Sequence, residues 1–220
     1  MARVIALFVL AVITTLPTLA IGQELDHVVA GVEATYGKIN DLRAEFTQTA
    51  YNRSLGQDIK AEGTVYLKKG GKMRWDYKSP SPQQLVSDGS SLWVYTPELN
   101  QVNKGSAPKA LAGPAGSFLA GLGRLRNEFS VRFLNPASKV DASGRPVIDL
   151  APKNPTPLLT RLVLHVDPKD YVVRQAVLYD QAQNTVTMTF NKVTINPGLA
   201  DSLFVFTPPP GAAVVPLDPR

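Results

Sequence analysis

The chain has 220 residues, of which 44% are hydrophobic and 19% charged, a composition that excludes a disordered polymer and suits one domain with a sizeable core. A formal charge of +5 is spread over scattered sites such as Lys68, Lys69, Lys72, Arg124, Arg126 and Arg132, without the stripe of basic and aromatic residues that nucleic acid requires. There is no cysteine, which excludes disulfide staples and the thiol of a lipid-modified export signal, so stability must come from burial.

At the N-terminus, Arg3 precedes an apolar run from Val4 to Leu16, then Pro17 and the small residues Ala20 and Gly22. This layout predicts a secretory signal peptide over 1–22, cleaved after Gly22, which leaves a single domain over 23–220 with a charge of +4. The run is shorter than the roughly 18 residues of a membrane-spanning helix; an uncleaved N-terminal anchor is the alternative.

Residues 23–37 predict an amphipathic helix, with Leu25, Val28, Val29, Val32 and Tyr36 at helical spacing and Gly37 as its stop. From Leu42 the period changes to two. Leu42, Ala44, Phe46, Gln48 and Ala50 share one face, and Arg43, Glu45, Thr47 and Thr49 the other. Turn signals at 70–71, 88–89, 141–144, 167–170 and 180–184 then separate apolar runs at 63–69, 72–78, 84–87, 91–96, 146–150, 159–166, 171–179 and 185–193. The expectation is a long antiparallel meander. One stretch, 108–127, is rich in Ala, Gly and Leu and poor in β-branched residues, and predicts short helices laid over one sheet face. The fold class is therefore α+β, a curved antiparallel sheet covered on its inner side.

Chemistry-bearing patterns are sparse. His27 falls on the polar side of the first helix and His165 lies in a strand; neither belongs to a metal-binding or catalytic spacing. No nucleophile elbow or dinucleotide fingerprint is present, and the carboxylates are dispersed. An enzyme is not expected. The aromatics say more. Met73, Trp75 and Tyr77 alternate with Arg74, Asp76 and Lys78, while Leu92 and Val94 face opposite to Trp93 and Tyr95. A sheet apolar on both faces must be covered twice or must face a cavity, and a plain filled core satisfies the same pattern.

In order along the chain stand Gly63-Thr-Val-Tyr-Leu-Lys-Lys69, Met73-Arg-Trp-Asp-Tyr77, Pro82, Leu85-Val-Ser-Asp-Gly89, Leu92-Trp-Val-Tyr95 and Gln101-Val102. Leu42-Arg-Ala-Glu-Phe-Thr-Gln48 precedes them and Phe204-Val-Phe-Thr-Pro-Pro-Pro-Gly211 closes the chain. This succession resembles the periplasmic outer-membrane lipoprotein carriers of Gram-negative bacteria. The resemblance implies an incomplete β-barrel with a helical lid over a hydrophobic cavity. It also implies a monomeric periplasmic carrier without cofactor or metal, which takes acylated lipoproteins from an inner-membrane ABC transporter to an outer-membrane receptor; a related half-barrel protein that binds or senses another lipid or lipoprotein in the periplasm is the alternative.

Candidate cavity residues are Val65, Leu67, Met73, Trp75, Tyr77, Leu85, Leu92 and Val94 on the strands, with Phe118, Leu119 and Leu122 on a lid formed by 108–127. The family's arginine latch, which holds the lid shut, falls on Lys69, followed here by Gly70 where the family has proline. Lysine keeps the charge and loses the planar fork, so Arg74 is the alternative latch.

Overall fold

The computed structural model describes residues 18–110 and 125–217. Helix α1 (Thr18–Lys38) is already helical at Thr18, the first described residue, upstream of the expected start at Gln23, and it runs through Gly22. It leads into a meander of six strands, β1 (Asp41–Asn52), β2 (Gln57–Lys68), β3 (Lys72–Ser79), β4 (Gln83–Asp88), β5 (Ser91–Thr96) and β6 (Gln101–Ser106). Helix α2 (Ala107–Ala110) opens the predicted helical insertion and α3 (Leu125–Glu128) ends it. A second meander follows, of β7 (Phe129–Phe133), β8 (Val147–Pro152), β9 (Arg161–Val166), β10 (Val173–Tyr179) and β11 (Thr185–Ile195), and the chain closes on β12 (Ala213–Pro216).

All twelve strands form one open, curved sheet in the order β12-β6-β5-β4-β3-β2-β1-β11-β10-β9-β8-β7. The two meanders are joined by β1 and β11, paired from Leu42↔Ile195 to Tyr51↔Thr185 with a bulge between Arg43 and Glu45. Such an arrangement is an incomplete barrel of the α+β class. Three strands depart from the expected pattern. β7 follows the insertion directly, and β2 starts at Gln57, well before the predicted Gly63, because Gln57 to Glu62 pair with β1 although their own sequence is polar. β12 breaks the antiparallel rule by pairing parallel to β6 at the edge.

The register sorts the faces. Ala44, Val65, Trp75, Leu85 and Val94 lie in one cross-strand row, flanked by Leu42, Leu67, Met73, Ser87 and Leu92; both rows point inward. Trp93 and Tyr95 therefore point outward. They are covered there by the segment after β11, whose Phe206 ring lies 5.9 Å from Tyr95 and 6.3 Å from Trp93 and whose Phe204 is fully buried. This strap is tied down by Asp201, which bridges Lys68 and Lys72 at 2.7 and 2.9 Å, and by Gly198 and Leu199, whose amides donate to the Asp41 carboxylate. The two-sided apolarity of β5 is thus explained by two coverings.

Inside, α1 lays Val28, Val29 and Val32 on Ile148, Leu150, Leu162, Leu164 and Val166 of the second meander. The fit is close: the Tyr171 ring packs against Gly31, where an added Cβ would come within 2.4 Å of it. A second core cluster belongs to the first meander, with Phe46 against Trp75 and Tyr77 at ring separations of 5.1 and 5.0 Å. Gly63 admits that packing, since a Cβ there would stand 2.1 Å from the Asp76 carbonyl and 2.9 Å from the Phe46 ring.

Candidate functional site: an apolar hollow between the two meanders

The two core clusters do not merge completely. Between them lies a hollow lined by Tyr36, Leu42, Ala44, Val65, Leu67, Trp75, Val172, Val173, Phe190 and Val193. Strands β1 to β3 supply one wall, the last turn of α1 the roof, and β11 with the turn before β10 the far side. Space open to the centre of a water molecule amounts to about 40 Å³, enough for a few small groups and far too little for a set of acyl chains. Every lining side chain except Tyr36 and Trp75 is purely hydrocarbon, and both of these present rings. Val173 donates its backbone N–H to the Tyr36 hydroxyl at 3.2 Å, and burial pushes that hydroxyl up to about 12. Among the described residues, the Tyr36 hydroxyl is the one ionisable group of the lining. The hollow offers apolar surface, and apolar matter is what it can take up.

Among the candidate residues, Val65, Leu67 and Trp75 line the hollow. Met73 and Leu92 share their inward face and are fully packed in the first meander's core, with Tyr77 and Leu85 against them. Tyr77 donates its hydroxyl to the Gln48 side chain at 3.0 Å, and burial raises its pKa. Val94 points inward at the far end of the row and stays half-buried. Phe118, Leu119 and Leu122 lie outside the described residues.

The same architecture is found among known proteins. Residues 37–207 match the family described as "Outer membrane lipoprotein carrier protein LolA". The outer-membrane lipoprotein carrier protein of Dechloromonas aromatica is 32% identical over 174 residues, covering 79% of this chain and 80% of that protein. The one from Nitrosomonas europaea is 28% identical and covers 85% and 88% respectively. The chain belongs to the lipoprotein carrier family. Among solved structures, an uncharacterized conserved protein from Thermus thermophilus shares the fold at a TM-score of 0.55 and 13% identity, covering 88% of this chain and 99% of that one. Members of this periplasmic carrier family are not enzymes.

The carrier's two latch candidates are placed on opposite faces. Lys69 points inward at the end of β2 and donates to the Gly37 carbonyl and the Asn40 side-chain oxygen, both at 3.1 Å. It therefore closes the C-terminal end of α1, where a cation also meets the helix dipole favourably. Arg74 points outward. Its guanidinium is held by Asp76 at 2.9 Å and by the Leu203 carbonyl of the strap at 3.4 Å, on the side of the sheet away from the hollow. A latch at Arg74 would have to act through the sheet, and that alternative is set aside.

At the other end of the insertion, Arg126 clamps α3 to α1. Its guanidinium reaches Glu33 at 2.8 Å and both the carbonyl and carboxylate of Asp26, at 3.0 and 3.1 Å. Of the histidines, His27 meets the Tyr171 hydroxyl and His165 the Asp141 carboxylate, each at 2.8 Å, so both have structural partners.

Sequence reasoning missed Tyr36, Leu42, Ala44, Val172, Val173, Phe190 and Val193 as lining residues. For Leu42 and Ala44 the signal was present, since both sit on the inward face of the first predicted strand. Phe190 and Val193 reach the hollow only because β1 pairs with β11, a contact between strands almost the whole chain apart.

Proposed function

We propose that this protein is a periplasmic shuttle that takes acylated lipoproteins from an inner-membrane ABC transporter and delivers them to an outer-membrane receptor, hiding their acyl chains in the hollow. The observation that carries this reading is a purely apolar cavity on the seam between two meanders, in a chain of the carrier family. Each methylene withdrawn from water contributes roughly 0.8 kcal/mol, so several chains cannot cross an aqueous compartment bare. A hollow of about 40 Å³ must widen before acyl chains can enter it. Loading then requires the roof to move off β1–β3, and the packing energy regained on closure makes release favourable. Residues 1–22 act as a cleaved export signal, the carrier works as a monomer, and 108–127 act as a lid whose closed position Lys69 helps to fix through the end of α1.

The test is release from spheroplasts that hold labelled lipoproteins in their inner membrane. Purified protein is expected to bring lipoproteins into the soluble fraction as a one-to-one complex. Lipoproteins that stay membrane-bound while free lipids bind the protein would contradict the reading.

A further inference from the structure

The first six strands sort their charges by face. At half-buried positions that point outward stand Arg43, Glu45, Lys72, Arg74, Asp76 and Asp88. The inward positions of β1 to β6 carry no charged side chain at all. Several of them are nevertheless polar and only half-buried, and every one of these is an amide or a hydroxyl.

Most of these neutral groups fall into one row. Tyr77 stands opposite Gln83, the Gln83 side-chain amide donates to the Thr96 hydroxyl at 3.1 Å, and Thr96 stands opposite Gln101. Two flanking groups are tied to the row: Tyr77 donates to the Gln48 side-chain oxygen and Gln101 to that of Asn103, both at 3.0 Å. The next inward row, one step of about 7 Å along the strands, is Trp75, Leu85 and Val94. Trp75 is a wall of the hollow.

Half-buried strand positions facing water readily take charges, as the outer face of these strands does. A charge is disfavoured where it must face an uncharged, poorly hydrated group, because an unpaired charge costs far more to desolvate than an amide that finds a hydrogen bond. Acyl chains are joined to whatever carries them by esters and amides. These linkages are uncharged, accept through carbonyl oxygens and adjoin hydrocarbon. A primary amide, with two N–H donors and a carbonyl, and a hydroxyl, which donates and accepts, match both kinds of group.

We infer that the inward row Tyr77, Gln83, Thr96 and Gln101, with Gln48 and Asn103, is a subsite for the ester and amide linkages of an acylated cargo. It holds them one row away from the apolar wall that takes the chains. The hollow supplies affinity for hydrocarbon, and the row recognises the point where the hydrocarbon is attached. This inference rests on the carrier reading.

Two synthetic ligands test it. One is a short N-acetylated peptide whose N-terminal cysteine carries a glyceryl group with two ester-linked palmitoyl chains; the other is the same peptide with two ether-linked hexadecyl chains. Affinities are measured below the micellar concentration by displacement of a fluorescent fatty acid. The native protein should bind the ester peptide about tenfold more tightly, the worth of one or two net hydrogen bonds. A Gln83→Met/Gln101→Met variant, similar in size and without the amides, should bind the two peptides alike. Thr96→Val, which keeps the shape of the side chain, should lose a smaller part of the preference. Equal affinities in the native protein overturn the inference, as does either folded variant that keeps the full preference. Equal binding of both peptides leaves the carrier reading standing, whereas a native protein that binds neither removes the carrier reading and this subsite together.

Discussion

The two meanders are built from similar strands and roofed by the same helix, yet their faces are covered differently. In the second meander, Ile148, Leu150, Leu162 and Leu164 are completely withdrawn from solvent beneath Val28, Val29 and Val32 of α1. In the first, Leu67 stays half-buried, and Leu42, Ala44 and Trp75 line the hollow although they are withdrawn from solvent. The coverings are reversed on the outside, where the strap seals β3 to β6 with Phe204 and Phe206. The lesson is a division of labour. The filled half, welded to α1 at Gly31, Arg126 and Tyr36, holds the architecture, and the half sealed from behind is free to keep an apolar surface unsatisfied in front.

Deleting a side chain from each half sharpens the contrast most. Leu164→Ala should cost about 3 to 4 kcal/mol in chemical denaturation, because a close-packed site leaves a cavity. Leu67→Ala should cost only about 1 kcal/mol, since the space beside it is already empty. Equal losses would mean that the halves are packed alike.

A pH titration probes the roof between them. The Tyr36 hydroxyl ionises near 10 when unfolded and at about 12 when folded, so its contribution is complete below pH 10 and is lost as pH rises from 10 to 12. Two pH units correspond to about 3 kcal/mol. Denaturation midpoints should fall over that window in the native protein and fall less in Tyr36→Phe; parallel curves would remove Tyr36 from the roof.

Lys69→Leu should loosen the end of α1 by less than about 1 kcal/mol without unfolding either half. Hydrogen exchange should quicken around residues 37–40, and hand-over of cargo should slow. Wild-type transfer would take Lys69 out of the mechanism. The smallest effect concerns the strap. Lys68 and Lys72 hold the Asp201 carboxyl down to about 2 from 3.8, so the tie is present above 3.8 and is lost as pH falls towards 2. Limited proteolysis of the strap should rise over that range in the native protein, and Asp201→Asn should be cut readily at every pH.

Much of this architecture is legible in the sequence because it is local. Alternation separates the two faces of β1 and β3, while β5, apolar on both sides, leaves its inward face open; Gly-Gly and Asp-Gly turns mark where β3 begins, β4 ends and β5 begins. Pairings distant in sequence leave no such trace. β12 joins β6 in parallel after a long irregular strap, and Phe190 reaches the hollow through the β1–β11 seam; polar residues 57–62, by contrast, become strand through a local hairpin because β1 is opposite them. The candidate site followed the same rule. Val65, Leu67 and Trp75 could be found from one strand pair, whereas the far wall at Val172, Val173 and Val193 exists only once the two meanders are joined.

The two tryptophans lie on opposite faces, Trp75 on the hollow and Trp93 under the strap, and offer the most direct test. In W93F the remaining fluorescence comes from Trp75, and in W75F from Trp93. Long acyl chains carrying bromine at mid-chain should quench W93F saturably and leave W75F nearly untouched. Equal quenching of both variants, or none in W93F, would contradict the claim that acyl chains enter between the meanders.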